Sequence, residues 1–325
     1  MDRRQFVRVV SAATAISTLG HTAWAQPAGK VVKVVVPFPA GGSADAMGRL
    51  LALHLQGNYA ANVVVENRVG AGGRIGTLSV RNAEPDGTTM LVNSSTPMTL
   101  YPHVFNKLGY DVTKDFVSVC QLTNMIYGLA VGPAVPNSIQ TLGELVAWLK
   151  QHPESAKFGG AGVGTGPHFL GLQVAKEIGI PLEFVPYNGG APLAQAVLGG
   201  HLPISIDALA SMVPHLVGGR MRVLATFGEQ RVLPAVQTVR EAGYASASLE
   251  DYYGLWVPAQ TPPETVAKLA AAAQAATRQP AFVDAVQRLT MGTVFSPTSE
   301  FTQRVANDVA RWGGMARAAN FKPMD

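Results

Sequence analysis

The chain has 325 residues, 47% of them hydrophobic and 14% charged, with 34 Gly, 22 Pro and a single Cys. This is too apolar for a disordered chain and too long for one compact core, so two lobes are expected; the frequent Gly and Pro point to many short elements joined by tight loops in an α/β protein. Cys120 has no partner for an internal disulfide and no Cys/His cluster has zinc spacing, which excludes disulfide scaffolds and structural zinc; no role is assigned to Cys120.

Residues 1–25 read as an export signal rather than as part of the fold. Asp2-Arg3-Arg4-Gln5-Phe6-Val7-Arg8 is a basic start, Val9 to Leu19 a short apolar stretch, and Ala23-Trp24-Ala25 a cleavage site, with cleavage expected near Ala25 and delivery to the periplasm. The Arg3-Arg4 pair gives it a twin-arginine character, although an ordinary secretory signal stays open. Ser11, Thr14, Ser17, Thr18 and His21 interrupt the apolar run, so a membrane anchor is disfavoured. Removing Arg3, Arg4 and Arg8 with Asp2 takes +2 from a net charge of +4 and leaves +2. So small an excess, scattered and without a basic stripe, argues against nucleic acid as a partner.

From Val31 onward apolar β-branched runs alternate with helical patterns. Val31 to Phe38 reads as a buried strand, Ser43 to Gln56 as a helix, Val63 to Glu66 as strand, Ile75 to Asn82 as helix and Thr89 to Asn93 as strand. This βαβαβ order predicts a parallel sheet with crossover helices. The middle third repeats the grammar: strand at Gly128 to Val131, helix at Leu142 to Gln151, helix at Pro167 to Ile178, strand at Leu182 to Pro186, helix at Ala191 to Leu198, strand at Leu202 to Asp207, helix at Met212 to Val217 and strand at Arg222 to Thr226. In the tail, Thr261-Pro262-Pro263-Glu264 predicts a capping box opening a helix, and Ser296-Pro297 begins a last helix with Phe301, Val305, Val309 and Trp312 as its packing stripe. No low-complexity linker separates the lobes, so the chain is expected to cross between them more than once.

Three glycine-rich turns carry the chemistry. Pro37-Phe38-Pro39-Ala40-Gly41-Gly42-Ser43-Ala44-Asp45 joins a strand to a helix, where free backbone N–H groups and the positive end of the dipole suit a carboxylate. The same glycines would equally serve a plain tight turn, with Asp45 confined to the first helical turn. Gly159 to His168 also precedes a helix, with Thr165 or Gly166 as its cap. Its glycines miss the dinucleotide register because Thr165 and Pro167 occupy the required positions, and Gly-Pro-His replaces the Gly-Lys-Ser/Thr of a nucleotide loop. His168 is either a polar first-turn residue or a ligand contact. The third turn is Val185-Pro186-Tyr187-Asn188-Gly189-Gly190-Ala191-Pro192, followed by a buried strand ending at Asp207, whose carboxylate must meet donors, water or a ligand.

Taken in order, Pro37 to Gly42 with Asp45 and Arg49, Val65 to Arg68 with Gly70 to Gly73, Ala83 to Gly87, Val185 to Pro192, Glu241-Ala242-Gly243 and Thr261-Pro262-Pro263 resemble the Bug-type receptors, extracytoplasmic substrate-binding proteins of the tripartite tricarboxylate transporter class. The resemblance spans residues 31 to 323. It implies a bilobal periplasmic binding protein of type II, a Venus flytrap with two doubly wound lobes and a hinge of crossing strands near Val117 to Thr123 and Tyr252 to Val257. Lobe I would be 28–123 plus 251–325, and lobe II 124–250. The implied ligand is a small carboxylic acid, mono- or dicarboxylate, aromatic acids included. Its implied contacts are Phe38, Ala40, Gly41, Ser43 and Asp45 from the first turn, Ser94, Ser95 and Thr96 after Asn93, Gly164, Thr165 and His168 from the second lobe, and Tyr187, Asn188 and Asp207. Asn188 stands where many members carry a basic or other polar residue.

The implied partners are the transporter's membrane subunits or, as an alternative, a membrane sensor kinase; a monomer is expected, with no cofactor and no metal. An enzyme would need an activated nucleophile or a metal. Ser43, His168 and Asp207 are suitable residue types, but neither Gly-x-Ser-x-Gly nor His-Glu-x-x-His occurs, so no catalytic residue is assigned and a hydrolase or lyase is disfavoured.

Overall fold

The computed structural model describes residues 30–318 and 320–325, and the export signal expected at 1–25 lies outside them. The strands are β1 (Val32–Val36), β2 (Val63–Asn67), β3 (Thr89–Ser94), β4 (Phe116–Val131), β5 (Lys157–Gly160), β6 (Glu183–Pro186), β7 (Ile204–Ala208), β8 (Arg222–Thr226) and β9 (Glu250–Pro258). The helices are α1 (Ser43–Leu55), α2 (Arg74–Arg81), α3 (Ser95–Thr99), α4 (Val112–Asp115), α5 (Leu142–Gln151), α6 (Gly166–Ile178), α7 (Gly190–Leu198), α8 (Leu209–Met212), α9 (Pro263–Thr277), α10 (Pro280–Arg288) and α11 (Thr298–Ala318). Among the described residues no helix is long and apolar enough to cross a membrane.

Side chains alternate across each strand, and both faces of the first half-sheet are apolar, so it must be covered twice. Strands β2, β1 and β3 run parallel, and β9 joins antiparallel beside β3. Val34, Val36, Met90 and Val92 pack with Met47, Leu51 and Leu55 of α1 and with Val266 and Leu269 of α9. Their neighbours Val35 and Leu91 face the other way, against Val80 of α2 and Phe301 and Val305 of α11. In the second half-sheet β5 pairs parallel with β6 and β7, while β7 and β8 lie antiparallel to β4. Leu193 and Val197 of α7 and Met212 of α8 cover one face; Phe169, Leu170 and Val174 of α6 lie in the cluster on the other.

Strand β4 connects the halves. Phe116 to Ile126 pair with β9, and Tyr127 to Val131 pair with β7 and β8. Register shifts at Ser118/Cys120 and Gln121/Thr123 bend it along the way, as an extra unpaired residue does in any ladder. Val117 to Thr123, expected as a hinge strand, and Gly128 to Val131, expected as a separate strand, are continuous. They are one strand of 16 residues, and the polar Gln121, Thr123 and Asn124 in its middle obscured the continuity. Strand β5 was not expected, being short and half glycine. The expected Met212 to Val217 helix is instead α8 followed by a single 3-10 turn at Val213–His215.

The capping box expected at Thr261 to Glu264 does not form. The cap of α9 is Pro262, extended with ψ 139°, because a residue preceding proline is pushed out of the α region. The helix therefore starts one residue late, and the buried Thr261 hydroxyl has no hydrogen-bond partner among the described residues. A capping box does form at α5, where the Glu144 N–H donates to Thr141 Oγ1 at 3.2 Å and the Thr141 N–H donates to Glu144 Oε2 at 2.9 Å. Thr141→Ala should cost about 1 kcal/mol, read as a lower urea midpoint with an unchanged slope; no change in midpoint would mean the box contributes nothing.

Candidate ligand-binding site

The carboxyl ends of β1 and β3 meet the start of α6 at the junction of the half-sheets. In open parallel sheets the crevice outside the strand ends is where ligands bind. The first wall is the turn from β1 to α1. Gly41 has φ +86°, a left-handed conformation that glycine adopts without steric cost. Gly42 caps α1 without a side-chain hydrogen bond, so the first-turn N–H groups of Ser43, Ala44 and Asp45 have no intrahelical acceptor. The Asp45 carboxylate is turned back into its own turn: it accepts from the Gly41 N–H at 2.9 Å, Arg49 Nε at 2.9 Å and Asn67 Nδ2 at 2.9 Å. Burial opposes its charge, but these three donors hold its pKa below the ordinary value. Asp45 thus braces the loop that presents Phe38, Ala40 and Gly41; Asn67 also donates to the Phe38 carbonyl at 3.0 Å.

A belt of hydroxyls follows. Ser43 Oγ lies 2.7 Å from Tyr253 Oη. Ser94, Ser95 and Thr96 are all buried at the end of β3. Ser95 Oγ donates to Asp251 Oδ1, as does the Tyr252 N–H at 2.7 Å, and Tyr127 Oη donates to Asp251 Oδ2 at 2.6 Å, with Thr96 Oγ1 at 3.5 Å. Asp251 is 1% exposed; burial pushes its pKa up, opposed by the Ser95, Tyr127 and Tyr252 hydrogen bonds and the Arg304 charge. The far wall approaches at Gly166, the first residue of α6. A Cβ there would lie 2.7 Å from Tyr127 Oη and 3.3 Å from Thr96 Oγ1.

Within the second half the expected residues hold the glycine loop. Thr165 caps α6 by backbone only, and its hydroxyl donates to the Gly162 carbonyl at 2.9 Å. The Gly164 N–H donates to His168 Nδ1 at 3.2 Å, and the imidazole stacks on Phe184 with centroids 4.0 Å apart. Burial pushes the His168 pKa down to about 4, so near neutrality the ring is uncharged with its proton on Nε2. Phe321 in the C-terminal tail also stands against His168 and Phe169, and Met324 packs where a Gly164 side chain would be. Since Pro167 has no N–H, the free first-turn donors of α6 are Gly166 and His168.

Tyr187 is half-buried against Gly159, and Asn188 is exposed. Asp207 is buried beneath the start of α7, beside Gly190 and Ser211, at a cavity of about 10 Å³, room for one water. Burial raises its pKa to about 6, with the Ala208 N–H opposing. A larger recess of about 300 Å³ lies between Arg81, Lys114, Asp115 and Pro258, away from the crevice at the opposite end of β9.

The structure joins Ser95 and Thr96 at Asp251 and Ser43 to Tyr253 two residues further along β9, and turns Asp45, Thr165 and His168 toward their own loops while Asp207 lies buried beneath the start of α7. Sequence reading missed Tyr127, Tyr253 and Asp251, and named Gly166 only as a cap of α6. The expected hinge strand begins at Tyr252, one residue after Asp251, and the available signal is the pair Glu250-Asp251 inside the otherwise apolar run from Leu249 to Pro258. Among the described residues no cluster of His, Cys, Asp and Glu could hold a metal.

Two half-sheets with helices on both faces, joined by the long crossing strand β4, define a periplasmic binding protein fold with its crevice between the lobes. The model of the tripartite tricarboxylate transporter family receptor matches residues 47–321, and the chain belongs to that family. It is similar to the periplasmic binding protein BugD (26% identity, TM-score 0.82, covering 90% of this chain and 98% of that one). It is also similar to Rhodopseudomonas palustris Rpa4515 with adipate (26%, TM-score 0.85, 90% and 98%) and to MatC from the same organism with bound malate (28%, TM-score 0.78, 88% and 98%). The family is one of periplasmic solute-binding receptors.

Proposed function

We propose that the protein captures a small carboxylic acid in the crevice between lobes 28–123 plus 251–325 and 124–250, and delivers it to the membrane subunits of a tripartite transporter. It does so in the periplasm, after removal of the signal near Ala25. The observation that carries this reading is the convergence of the α1 and α6 helix starts, from opposite halves, on one belt of hydroxyls. Uncapped N–H groups at two helix starts favour an anion, and an anion touching both halves has more contacts when they close, so binding shifts the hinge equilibrium. Phe38, with its ring against Gly73, and Tyr187 offer apolar surface to the remainder of the molecule. The acids bound by Rpa4515 and MatC support the same class.

A ligand at about 100 times its dissociation constant stabilises the fold by roughly 2.7 kcal/mol, which raises the melting temperature by several degrees. A thermal-shift screen of carboxylic acids against their amides, sugars and nucleotides should give hits among the acids that the amides lose. Stabilisation by a sugar or nucleotide alone, or by an amide as well as by its acid, would contradict the carboxylate reading.

A further inference from the structure

We infer that Asp251 is a specificity-determining residue that makes this crevice select a carboxylic acid carrying a hydrogen-bond donor, a hydroxyl or an ammonium, beside its carboxylate. The inference rests on the carboxylate reading above and adds to it a second group on the ligand.

A hydroxyl has one proton to donate and two lone pairs with which to accept, and an ionised carboxylate only accepts. Ser95 Oγ and Tyr127 Oη both spend their proton on Asp251, and the Tyr252 N–H, which holds Asp251 Oδ1 at 2.7 Å, fixes the carboxylate in that orientation. Thr96 also hydrogen-bonds Tyr127, so what the two hydroxyls have left for the crevice is the remaining lone pairs. Tyr127 Oη stands at the start of α6, 2.7 Å from where a Gly166 side chain would be, and Ser95 directly follows β3. A carboxylate oxygen placed against them would meet acceptors. A hydroxyl or ammonium would find partners, and one lacking there would leave buried acceptors unpaired at a cost.

The donors that hold the carboxylate are elsewhere, at the first turns of α1 and α6 and at the Ser43–Tyr253 pair, where one of the two protons stays free. Asp251 and Tyr253 lie two residues apart on β9 and so share a face of the strand. Donor and acceptor regions are thus adjacent, as the two groups of a 2-substituted acid are. The groups facing Asp251 are Ser95 and Thr96 from α3, Tyr127 from β4, the Tyr252 N–H and Tyr253 on β9, and Arg304 and Asp308 of α11 at longer range. In Asp251→Asn the amide donates to one hydroxyl and turns that proton outward, which reverses the polarity presented to the ligand.

The test is calorimetric titration of wild type, Asp251→Asn and Tyr127→Phe with matched acids of three to six carbons, each as the plain, 2-hydroxy and 2-amino compound, as in succinate, malate and aspartate. In at least one series the wild type should bind the hydroxy or amino acid at least 10-fold more tightly than the plain acid. Asp251→Asn should bring the ratio to within about threefold. The hydroxy and amino arms tell which donor is read, and Tyr127→Phe reads the same ratio should Asp251→Asn fail to fold. Equal wild-type affinity for plain and substituted acids, or a preference that survives both substitutions, would overturn the inference and leave the carboxylate reading standing. No binding of any acid would overturn both.

Discussion

Gly166→Val should weaken acid binding about 100-fold while the protein stays folded. The residue opens α6, and a Cβ on it would lie 2.7 Å from Tyr127 Oη of its own half and 3.3 Å from Thr96 Oγ1 of the other. Real Cβ atoms do not approach oxygen so closely, and the branched methyls of Val add further volume. Overpacking of this kind costs about 1 to 3 kcal/mol where the neighbours cannot move. Thr96, on the other half, can move away by opening the crevice, whereas Tyr127 pairs with β7 in Gly166's own half, so the closed, ligand-holding state bears the clash with Thr96 and the second half bears the one with Tyr127. Affinity should drop about 100-fold, equivalent to roughly 2.8 kcal/mol, with a melting temperature lowered by several degrees. An affinity within threefold of wild type would mean that Gly166 does not border the ligand-holding space.

The second large effect is a hidden pH dependence. Burial lowers the His168 pKa to about 4, so the fold favours the neutral ring; its contribution is full above the unfolded value near 6.5 and is lost as pH falls toward 4. Burial raises the Asp207 pKa to about 6, so the fold favours the protonated carboxyl. That contribution is full below the unfolded value near 3.9 and is lost as pH rises toward 6. The two slopes oppose each other across nearly the same window and cancel in the wild type. Single substitutions expose them. Relative to wild type, Asp207→Asn should gain about 3 kcal/mol between pH 4 and 6, and His168→Phe, which keeps the stack on Phe184, about 2 kcal/mol between pH 6.5 and 4, the smaller figure allowing for solvent at the rim of the loop. Urea midpoints at pH 4.5 and 6.5 measure both. Parallel pH profiles in all three proteins would contradict these assignments.

The alternation that made β1, β3 and α1 readable is local, and those elements came out within a residue or two. What escaped was set by tertiary context. Strand β4 is continuous because two different sheets claim its two ends, which no local pattern records. Pro263 moved the α9 start by constraining the residue before it, so the Thr261 and Glu264 spacing misled. At the site, the glycine turns were visible as turns, and their aim at a crevice followed from strand-helix order. The direction of Asp45, Thr165 and His168 was not visible, because each satisfies a nearby backbone group that only the folded loop brings within reach. Asp251 and Tyr127 lie 124 positions apart in sequence and meet only where β4 passes β9.

The central claim is that an acid is held between two halves that close upon it. The most direct measurement is the radius of gyration by small-angle scattering, without ligand and with a saturating acid taken from the thermal-shift screen, on wild type and Gly166→Val. The account predicts contraction of the wild type on adding the acid and none in the variant. Tight binding of the acid with an unchanged radius in the wild type would contradict it.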